Sequence, residues 1–294
     1  MISVSVGICA YNEEKNIGNL IEALVNQKIE KIKIDEIIVV SSGSTDRTNE
    51  IVERYSERDN RIMLIIQPQR EGKAHAVNEF LKSANSEILV LESADTIPRE
   101  DTIEKLCLPF YDEKVGMTGG RPVPINDKST FIGFAGHLIW ELHHRISSIS
   151  PKFGELIAFR DVIKEIPKNT AVDEAWIEAL IKKKGYNVVY VPDAVVYNKA
   201  PETIRDFIKQ RRRIYAGHLY LKNKLGYSVS TMSVREIIRA IKYLNLSSKE
   251  MLYLIGAATL EGTSRVLGWF DHHILKKDHG IWDIAESTKK PEIK

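Results

Sequence analysis

The sequence predicts an α/β fold in which a mostly parallel sheet is covered by helices on both faces. Apolar runs alternate with helical segments in the first 95 residues, and near-continuous apolar strands are typical of sheets buried on both sides. Each run ends in a polar cluster, and a basic helical region follows residue 200. The four runs lie at residues 4–9, 36–40, 62–66 and 88–91.

Periodicity and helix-ending residues define the elements between and after these runs. Thr45 or Asp46 can cap the second helix, and Gly185 ends the helix that begins at Asp173. The predicted helices cover residues 14–27, 46–58, 72–83, 99–110, 131–148 and 173–184. Further short strands are predicted at 116–120, 188–191 and 194–197, and 154–159 is predicted as a strand or turn.

The composition favours a protein of a reducing compartment. The 294 residues include 42 Lys and Arg against 40 Asp and Glu, so overall charge gives no argument for nucleic-acid binding. Cys9 and Cys107 both lie in apolar runs, without disulfide or metal-ligand spacing. Because the chain enters a strand directly, no signal peptide is expected, and a cytoplasmic location is predicted.

The polar clusters that follow the apolar runs predict a single ligand site. In parallel sheets, ligands bind beyond the carboxyl ends of the strands, where these loops converge. The clusters are Ala10-Tyr11-Asn12-Glu13-Glu14, Ser41-Ser42-Gly43-Ser44-Thr45-Asp46, Gln67 to Lys73, and Ser93-Ala94-Asp95.

The ordered set of these motifs resembles the family 2 glycosyltransferases, which have the GT-A fold. The matching pieces include the first two clusters, Gly72-Lys73-Ala74, Ala94-Asp95, Asp173-Glu174, the run from Gly185 to Tyr197 and Gln210-Arg211-Arg212-Arg213-Ile214. The resemblance implies a three-layer catalytic domain over residues 1–200. Residues 201–294 would form a helical appendage that completes the acceptor side.

Asp95 resembles the second carboxylate of the family's Asp-x-Asp element. That element holds Mg²⁺ or Mn²⁺ on the donor diphosphate, and hard dications prefer oxygen ligands. Here Ser93 stands at the first Asp position, with Ala94 between them. Mg²⁺ usually keeps several waters, so one carboxylate plus diphosphate oxygens can bind it. The structural alternative is that Asp95 only caps a turn before Pro98.

The first two clusters resemble the part of the family's site that binds the donor nucleotide. Ala10, Tyr11, Asn12 and Glu13 are the residues expected in contact with the donor. Ser42 occupies the place of an Asp that usually reads the base, and its hydroxyl can accept a hydrogen bond. The resemblance therefore implies a UDP- or GDP-sugar donor.

Cationic residues are expected around the diphosphate. Lys73 follows Gly72 at a helix N-terminus, which suits anions, and Arg70 can assist. Gln210 and Arg213 are three residues apart on one helix face and resemble the family's Gln-x-x-Arg-Trp element. Ile214 replaces the Trp of that element, which argues against processive synthesis. A solvated basic face is the alternative for this helix, above all for Lys209, Arg211 and Arg212.

Asp173-Glu174 matches the family's Glu-Asp element with the two carboxylates exchanged. A base must take the proton of the attacking acceptor hydroxyl. Counting back from Gly185 places Glu174 in the register of that base, with Asp173 as the alternative. Both residues would also suit a helix N-terminus without any catalytic role.

The predicted function is therefore an inverting, metal-assisted, non-processive glycosyltransferase. Its acceptor would be a glycan, a lipid-linked molecule or a small molecule. A dinucleotide-dependent oxidoreductase is disfavoured because no Gly-x-Gly-x-x-Gly motif follows the first strand. The same loop lacks the Gly-rich basic motif of sugar nucleotidyltransferases. A catalytically degenerate sugar-nucleotide-binding protein is the remaining alternative, because Ser42 and Ser93 replace carboxylates.

The C-terminal region has two interpretations. Helices predicted at 203–225, 233–244 and 249–273 combine basic residues with apolar faces, which is typical of a membrane surface. Glu261 and Arg265 oppose insertion of residues 251–270 as a spanning helix. The favoured interpretation is a helical subdomain packed on the sheet, with a homodimer interface as a further option. Residues 287–294 are predicted as a frayed tail.

Overall fold

The computed structural model describes residues 1–282 and 286–288. The predicted tail therefore lies largely outside the described residues. Within them, eight strands form one sheet. They are β1 (Ile2–Ala10), β2 (Ile32–Ser42), β3 (Ile62–Gln67), β4 (Ile88–Ser93), β5 (Thr96–Pro98), β6 (Val115–Pro124), β7 (Leu156–Arg160) and β8 (Asn187–Asn198).

The helices occupy the predicted segments, most of them with shorter ends. Those in the first 200 residues are α1 (Ile17–Val25), α2 (Thr48–Ser56), α3 (Lys73–Ser83), α4 (Thr102–Cys107), α5 (Phe131–Ser147) and α6 (Asp173–Lys183). The later ones are α7 (Ile204–Leu225), α8 (Val234–Ile241) and α9 (Ser248–His273). Three 3₁₀ turns lie at Leu108–Tyr111, Ser230–Met232 and Glu286–Thr288.

The sheet order is β3-β2-β1-β4-β7-β6-β8-β5. The pairs β1–β2, β1–β4, β2–β3 and β6–β8 are parallel, whereas β7 and β5 run antiparallel to their neighbours. The first four apolar runs are thus adjacent parallel strands, as predicted. Their carboxyl ends form one edge, on which the polar clusters lie.

Alternating side chains of the central strands bury both faces of the sheet. Val6 and Val39 pack towards α1, α2 and α4, and Ile38 and Leu89 pack towards α3 and α6. Burial on both sides explains why these strands are apolar throughout rather than alternating. The predicted three-layer arrangement is confirmed.

Two predicted elements differ from the structure. The segments 188–191 and 194–197 are one strand, β8, with an irregular register against β6 around Pro192. Pro has no N–H for the ladder, and a bulge accommodates this without ending the strand. Likewise, α4 ends at Cys107 and gives way to a 3₁₀ turn that contains Pro109, so the predicted helix at 99–110 is shorter.

The C-terminal helices pack against α5. A third apolar cluster joins α5, α7 and α9 through Phe134, Leu138, Phe207 and Ala257. In the part of the chain that the structure describes, no helix combines the length and apolar character needed to cross a bilayer.

Candidate active site

One cavity of about 1010 Å³ opens at the carboxyl edge of the sheet and continues beneath the C-terminal helices. It brings together thirteen of the fourteen predicted site residues, which come from six separate segments. They are Ala10, Tyr11, Glu13, Ser42, Arg70, Lys73, Ser93, Ala94, Asp95, Asp173, Glu174, Gln210 and Arg213. The prediction of one site built from several loops is consistent with this arrangement.

Asn12 is the predicted residue that does not line the cavity. Its backbone has a positive φ of 53°, a conformation that Asn tolerates better than most residues. Its side-chain oxygen accepts a hydrogen bond from the Thr45 N–H at 2.8 Å, and its own N–H donates to the Ser44 hydroxyl. Asn12 thus ties the β1 loop to the β2 loop, and its donor contact stays a prediction.

Asp46 fixes the start of α2. Its carboxylate accepts the Thr48 N–H at 3.0 Å and the Glu14 N–H at 3.1 Å. This agrees with the predicted helix-start function, although α2 itself begins two residues later, at Thr48.

The β2 and β3 loops meet at Ser42 and Arg70. The buried Ser42 hydroxyl accepts the Glu71 N–H at 3.1 Å, so it holds the β3–α3 loop in place. The guanidinium of Arg70 lies 4.2 Å from the ring centroid of Tyr11, a cation–π arrangement. The two side chains form one wall of the cavity.

Lys73 is held at the N-terminus of α3 by an ion pair. Its ammonium lies 3.0 Å from the buried carboxylate of Asp173. Burial works to lower the pKa of Lys73, but Asp173 and Glu174 together raise it above its usual value. The amine therefore stays charged, and it faces the cavity beside the first turn of α6.

Glu174 has the electrostatic character of a base that works near neutral pH. Burial, followed by the neighbouring Asp173, raises the pKa of Glu174 to about 7. The two carboxylates are distinguished by their partners, because Asp173 carries the ion pair to Lys73. Of the two carboxylates, Glu174 is the one without an ion pair among the described residues.

Asp95 lies in a group of carboxylates at the end of β4. Burial, followed by repulsion from Glu13 and Glu155, raises the pKa of Asp95 to about 7. Ser93 and Ala94 line the cavity beside it. Among residues 1–282 and 286–288, no group of three or more His, Cys, Asp or Glu is arranged to hold a metal ion by itself. Any ion bound at Asp95 would need further oxygen ligands from the donor or water.

Arg213 reaches the same carboxylates from α7. Burial lowers the pKa of Arg213 to about 10, although Glu174, Glu155 and Asp173 oppose the change. Its guanidinium lies 4.0 Å from the ring centroid of Trp282, and the Trp282 carbonyl accepts a hydrogen bond from Arg70. The segment before Trp282 also approaches α3 closely, since a side chain at Gly72 would collide with the Gly280 carbonyl.

Two basic residues of α7 do not form the solvated face proposed from sequence. Arg211 donates to both carboxylate oxygens of Glu261, at 2.7 and 3.0 Å. Arg212 makes a bidentate contact with Asp271, which is fully buried. These pairs fasten α7 to α9, and all four residues from Gln210 to Arg213 line the cavity.

Glu155, Lys152 and Trp282 line the site but were not predicted from sequence. Glu155 precedes a short antiparallel strand, and Lys152 lies in an irregular loop before it. Trp282 is far from Arg213 in sequence. None of the three belongs to a recognisable local motif, so only the tertiary structure places them.

The chain matches the family model "Glycosyl transferase family 2" over residues 5–181, which is more than half of its length. The chain belongs to glycosyl transferase family 2. The predicted family is confirmed, and with it the predicted enzyme class, a glycosyltransferase.

Curated relatives agree at the level of the family. Over 262 residues the chain is 29% identical to the probable glycosyltransferase YdaM of Bacillus subtilis. The matched region covers 82% of this chain and 61% of that protein. It is 28% identical to a poly-β-1,6-N-acetyl-D-glucosamine synthase of Staphylococcus aureus, over 70% of this chain and 52% of that protein. The chain thus spans little more than half the length of the curated relatives it matches.

Solved structures show the same fold at lower identity. The mannosyltransferase PcManGT of Pyrobaculum calidifontis, in complex with GDP-Man and Mn²⁺, superposes with a TM-score of 0.65 at 22% identity, covering 93% of this chain and 88% of that one. Glucosyl-3-phosphoglycerate synthase of Mycobacterium tuberculosis, solved with Mn²⁺, UDP-glucose and glycerol 3-phosphate, gives 0.53 at 18% identity, covering 78% and 82%. The predicted GT-A fold is confirmed.

Proposed function

We propose that this chain is an inverting glycosyltransferase that moves a sugar from a nucleotide-diphosphate donor to an acceptor hydroxyl or phosphate. One observation carries the proposal: Glu174, with a pKa of about 7, faces the same cavity as Lys73, Arg213 and Asp95. A site of this composition offers cations for a leaving diphosphate and a base for the acceptor. Family membership and the fold of structures that bind GDP-Man and UDP-glucose support the same assignment.

The donor would lie along the ends of β1, β2 and β4, with UDP- and GDP-sugars as the candidates. Tyr11, Ser42 and Arg70 form the wall on the nucleotide side. Lys73 and Arg213 line the same cavity, where their charges suit the diphosphate. The free N–H groups at the start of α3 add to this preference for an anion.

The residues at the end of β4 fit Mg²⁺ or Mn²⁺ once a donor diphosphate adds oxygen ligands. Asp95 shares its surroundings with Glu13 and Glu155, and this repulsion between carboxylates favours a bound cation. When bound, such an ion neutralises charge that develops on a leaving diphosphate. Mn²⁺ in the structures of PcManGT and glucosyl-3-phosphoglycerate synthase points the same way.

Glu174 would act as the general base. An acceptor hydroxyl attacks the anomeric carbon while its proton passes to the Glu174 carboxylate. The bond from that carbon to the diphosphate oxygen breaks, and its electron pair leaves with the nucleotide. Attack opposite the leaving group inverts the anomeric centre. Lys73, through its ion pair, holds Asp173 away from this task.

The transfer is proposed to be non-processive, since Ile214 follows Arg213 where processive synthases carry Trp. We propose a cytoplasmic location because Cys9 and Cys107 are free thiols, as is typical of a reducing compartment. Exposed apolar side chains on α8 and α9 beside basic ones support peripheral contact with the inner membrane face. We assign the helical region after residue 200 to the acceptor side because α7, α8 and α9 line the cavity together with α5.

A panel of UDP- and GDP-sugars with Mn²⁺ tests the proposal. Thermal shift should identify one sugar nucleotide that stabilises the chain, and that donor should be hydrolysed slowly without acceptor. Stabilisation without any hydrolysis or transfer would instead support the degenerate binding protein, as Ser42 and Ser93 suggest. If no sugar nucleotide stabilises the chain, the proposed function is wrong.

A further inference from the structure

A segment that follows α9 lines the cavity beside the proposed donor site. It covers residues 276–282, and the Lys277 N–H near its start donates to the Asp271 carbonyl at 2.9 Å. Further along, Gly280 lies against the start of α3, where any Cβ at Gly72 would collide with the Gly280 carbonyl. The segment is therefore held at α9 and reaches the β3–α3 loop.

Trp282, in this segment, covers the face of one cavity cation. The guanidinium carbon of Arg213 lies 4.0 Å from the centroid of the Trp282 ring, and both side chains line the cavity. A guanidinium is planar, and its N–H groups point outwards along the edge of that plane. A ring against its face restricts how the plane can turn and leaves the edge available to an anion.

The edge of Arg213 has unused hydrogen-bonding capacity. Its Nε is buried and has no acceptor among the described residues. Glu174 and Glu155 are the carboxylates that attract its charge most strongly, but neither forms an ion pair with it in the part of the chain that the structure describes. A buried donor without an acceptor is costly, so an oxygen of a bound ligand would stabilise this arrangement.

The same tryptophan contacts a second cation through its backbone. The Trp282 carbonyl accepts a hydrogen bond from Arg70, whose guanidinium lies 4.2 Å from the ring centroid of Tyr11. Each of the two arginines thus has an aromatic ring against its guanidinium. Arg70 lies in the β3–α3 loop and Arg213 lies in α7, so Trp282 connects cations from two remote elements.

We propose that Trp282 is a positioning residue for the donor diphosphate. Its ring orients the guanidinium of Arg213 and its carbonyl orients that of Arg70, so that both can bind one diphosphate. An oriented guanidinium can bind two phosphate oxygens at once, and it loses less side-chain freedom on binding. The inference rests on the proposed function, because the anion is the diphosphate of a nucleotide donor.

Binding of nucleoside phosphates to the full chain tests this role without turnover. UDP and GDP, each with Mg²⁺, are titrated by calorimetry, and the tighter ligand is compared with its monophosphate, UMP or GMP. Trp282→Ala should weaken the diphosphate about tenfold, the scale of a lost cation–π contact and its orienting effect. Its affinity for the monophosphate should change less than about threefold, whereas a merely structural role would weaken the two ligands equally.

Two matched variants separate the aromatic face from general packing. Trp282→Phe keeps a ring against Arg213 and should bind the diphosphate within about threefold of the wild type. Trp269→Ala removes a tryptophan of α9 that is 43% exposed and lies outside the described lining of the cavity, so it should bind like the wild type. Diphosphate binding in Trp282→Phe as weak as in Trp282→Ala would contradict a role for the aromatic face.

Arg213→Lys tests whether the two side chains act as a unit. It keeps the charge but loses the planar edge, and it should weaken the diphosphate about tenfold. Adding Trp282→Ala to this variant should then cost less than about threefold more. Full additivity, unchanged or tighter diphosphate binding in Trp282→Ala, or equal losses for both ligands would overturn the inference. If neither UDP nor GDP binds the wild type, the proposed function itself fails.

Discussion

The sheet-edge loops and the C-terminal helices face one cavity, but different interactions hold them in place. The loops are joined by short polar side chains and backbone groups, such as Asn12 with Thr45 and Ser42 with Glu71. The helices are joined by charged pairs between residues far apart in sequence, of which Arg211 with Glu261 is one. Parallel strands bring their loops together by topology, whereas the helices depend on particular partners.

The two regions also differ in how well their buried charges are compensated by neighbouring groups. At the sheet edge, burial and repulsion from neighbouring carboxylates raise the pKa of both Asp95 and Glu174 to about 7, so these two groups are poorly compensated. In the helices, Arg211 and Arg265 overcome the effect of burial and lower the pKa of Glu261 to about 2. Uncompensated charge marks the region that binds and reacts, and compensated charge marks the region that supports it.

The largest effect is expected at Asp95. Asp95→Ala should abolish transfer and weaken donor binding in Mg²⁺ or Mn²⁺, because it removes the carboxylate proposed to hold the ion. Initial rates and donor titrations with each metal measure both effects. Thermal stability should be unchanged or higher, since a poorly compensated buried charge is lost. Full activity of this variant, or of the wild type in excess chelator, would contradict the assignment.

Glu174→Gln should lower kcat on the order of 10² or more and leave donor affinity nearly unchanged. The matched variant is Asp173→Asn, which disturbs the Lys73 ion pair and should mainly weaken donor binding. Steady-state kinetics and donor titration of both variants distinguish the two roles. A larger loss of kcat in Asp173→Asn would move the base to that residue.

The pH profile follows from the raised pKa of Glu174. The base works as a carboxylate, so wild-type kcat/KM should fall as the pH drops below about 7 and level off above it. Rates from pH 5 to 9 with a constant metal concentration measure this limb. The residual activity of Glu174→Gln should lack it, and an unchanged limb in that variant would assign the titration to another group.

In the helical region the expected effect is on stability. Glu261→Gln should lower the free energy of unfolding by about 2 kcal/mol, because it leaves the arginines Arg211 and Arg265 without their shared partner. Glu236→Gln is the control, since Glu236 makes a single long surface pair with Arg239 and should cost less than about 0.5 kcal/mol. Urea denaturation measures the free energy of unfolding of both variants. Equal losses would contradict the conclusion that buried charge pairs support the helical region more than surface pairs do.

The smallest effect concerns the outer surface of the same helices. Sedimentation with anionic vesicles should show binding that weakens with salt, because each basic residue near the surface contributes about 1 kcal/mol. Ile238→Asn should reduce it. No sedimentation at low salt would favour the packed subdomain alone, and a doubled mass by light scattering would indicate a homodimer.

Much of the donor side could be predicted from sequence because local signals suffice there. Buried parallel strands read as apolar runs, and their carboxyl ends must share an edge, so the positions of Ser42, Lys73 and Asp95 followed from the strand assignments. The hydrogen bonds of Asn12 to the neighbouring loop were not predicted, because a polar residue in such a loop can serve the ligand or the neighbouring loop equally well. No local pattern distinguishes these uses.

The sequence by itself determined the family, the order of strands and helices and the residues at the carboxyl edge, since apolar periodicity and short motifs encode them. Only the tertiary structure decided which charges are compensated. It pairs Lys73 with Asp173 and Arg211 with Glu261, and it brings Lys152 to the cavity that Glu174 lines. Electrostatic energy depends on distances and burial between segments remote in sequence, and spacing along the chain does not contain that information.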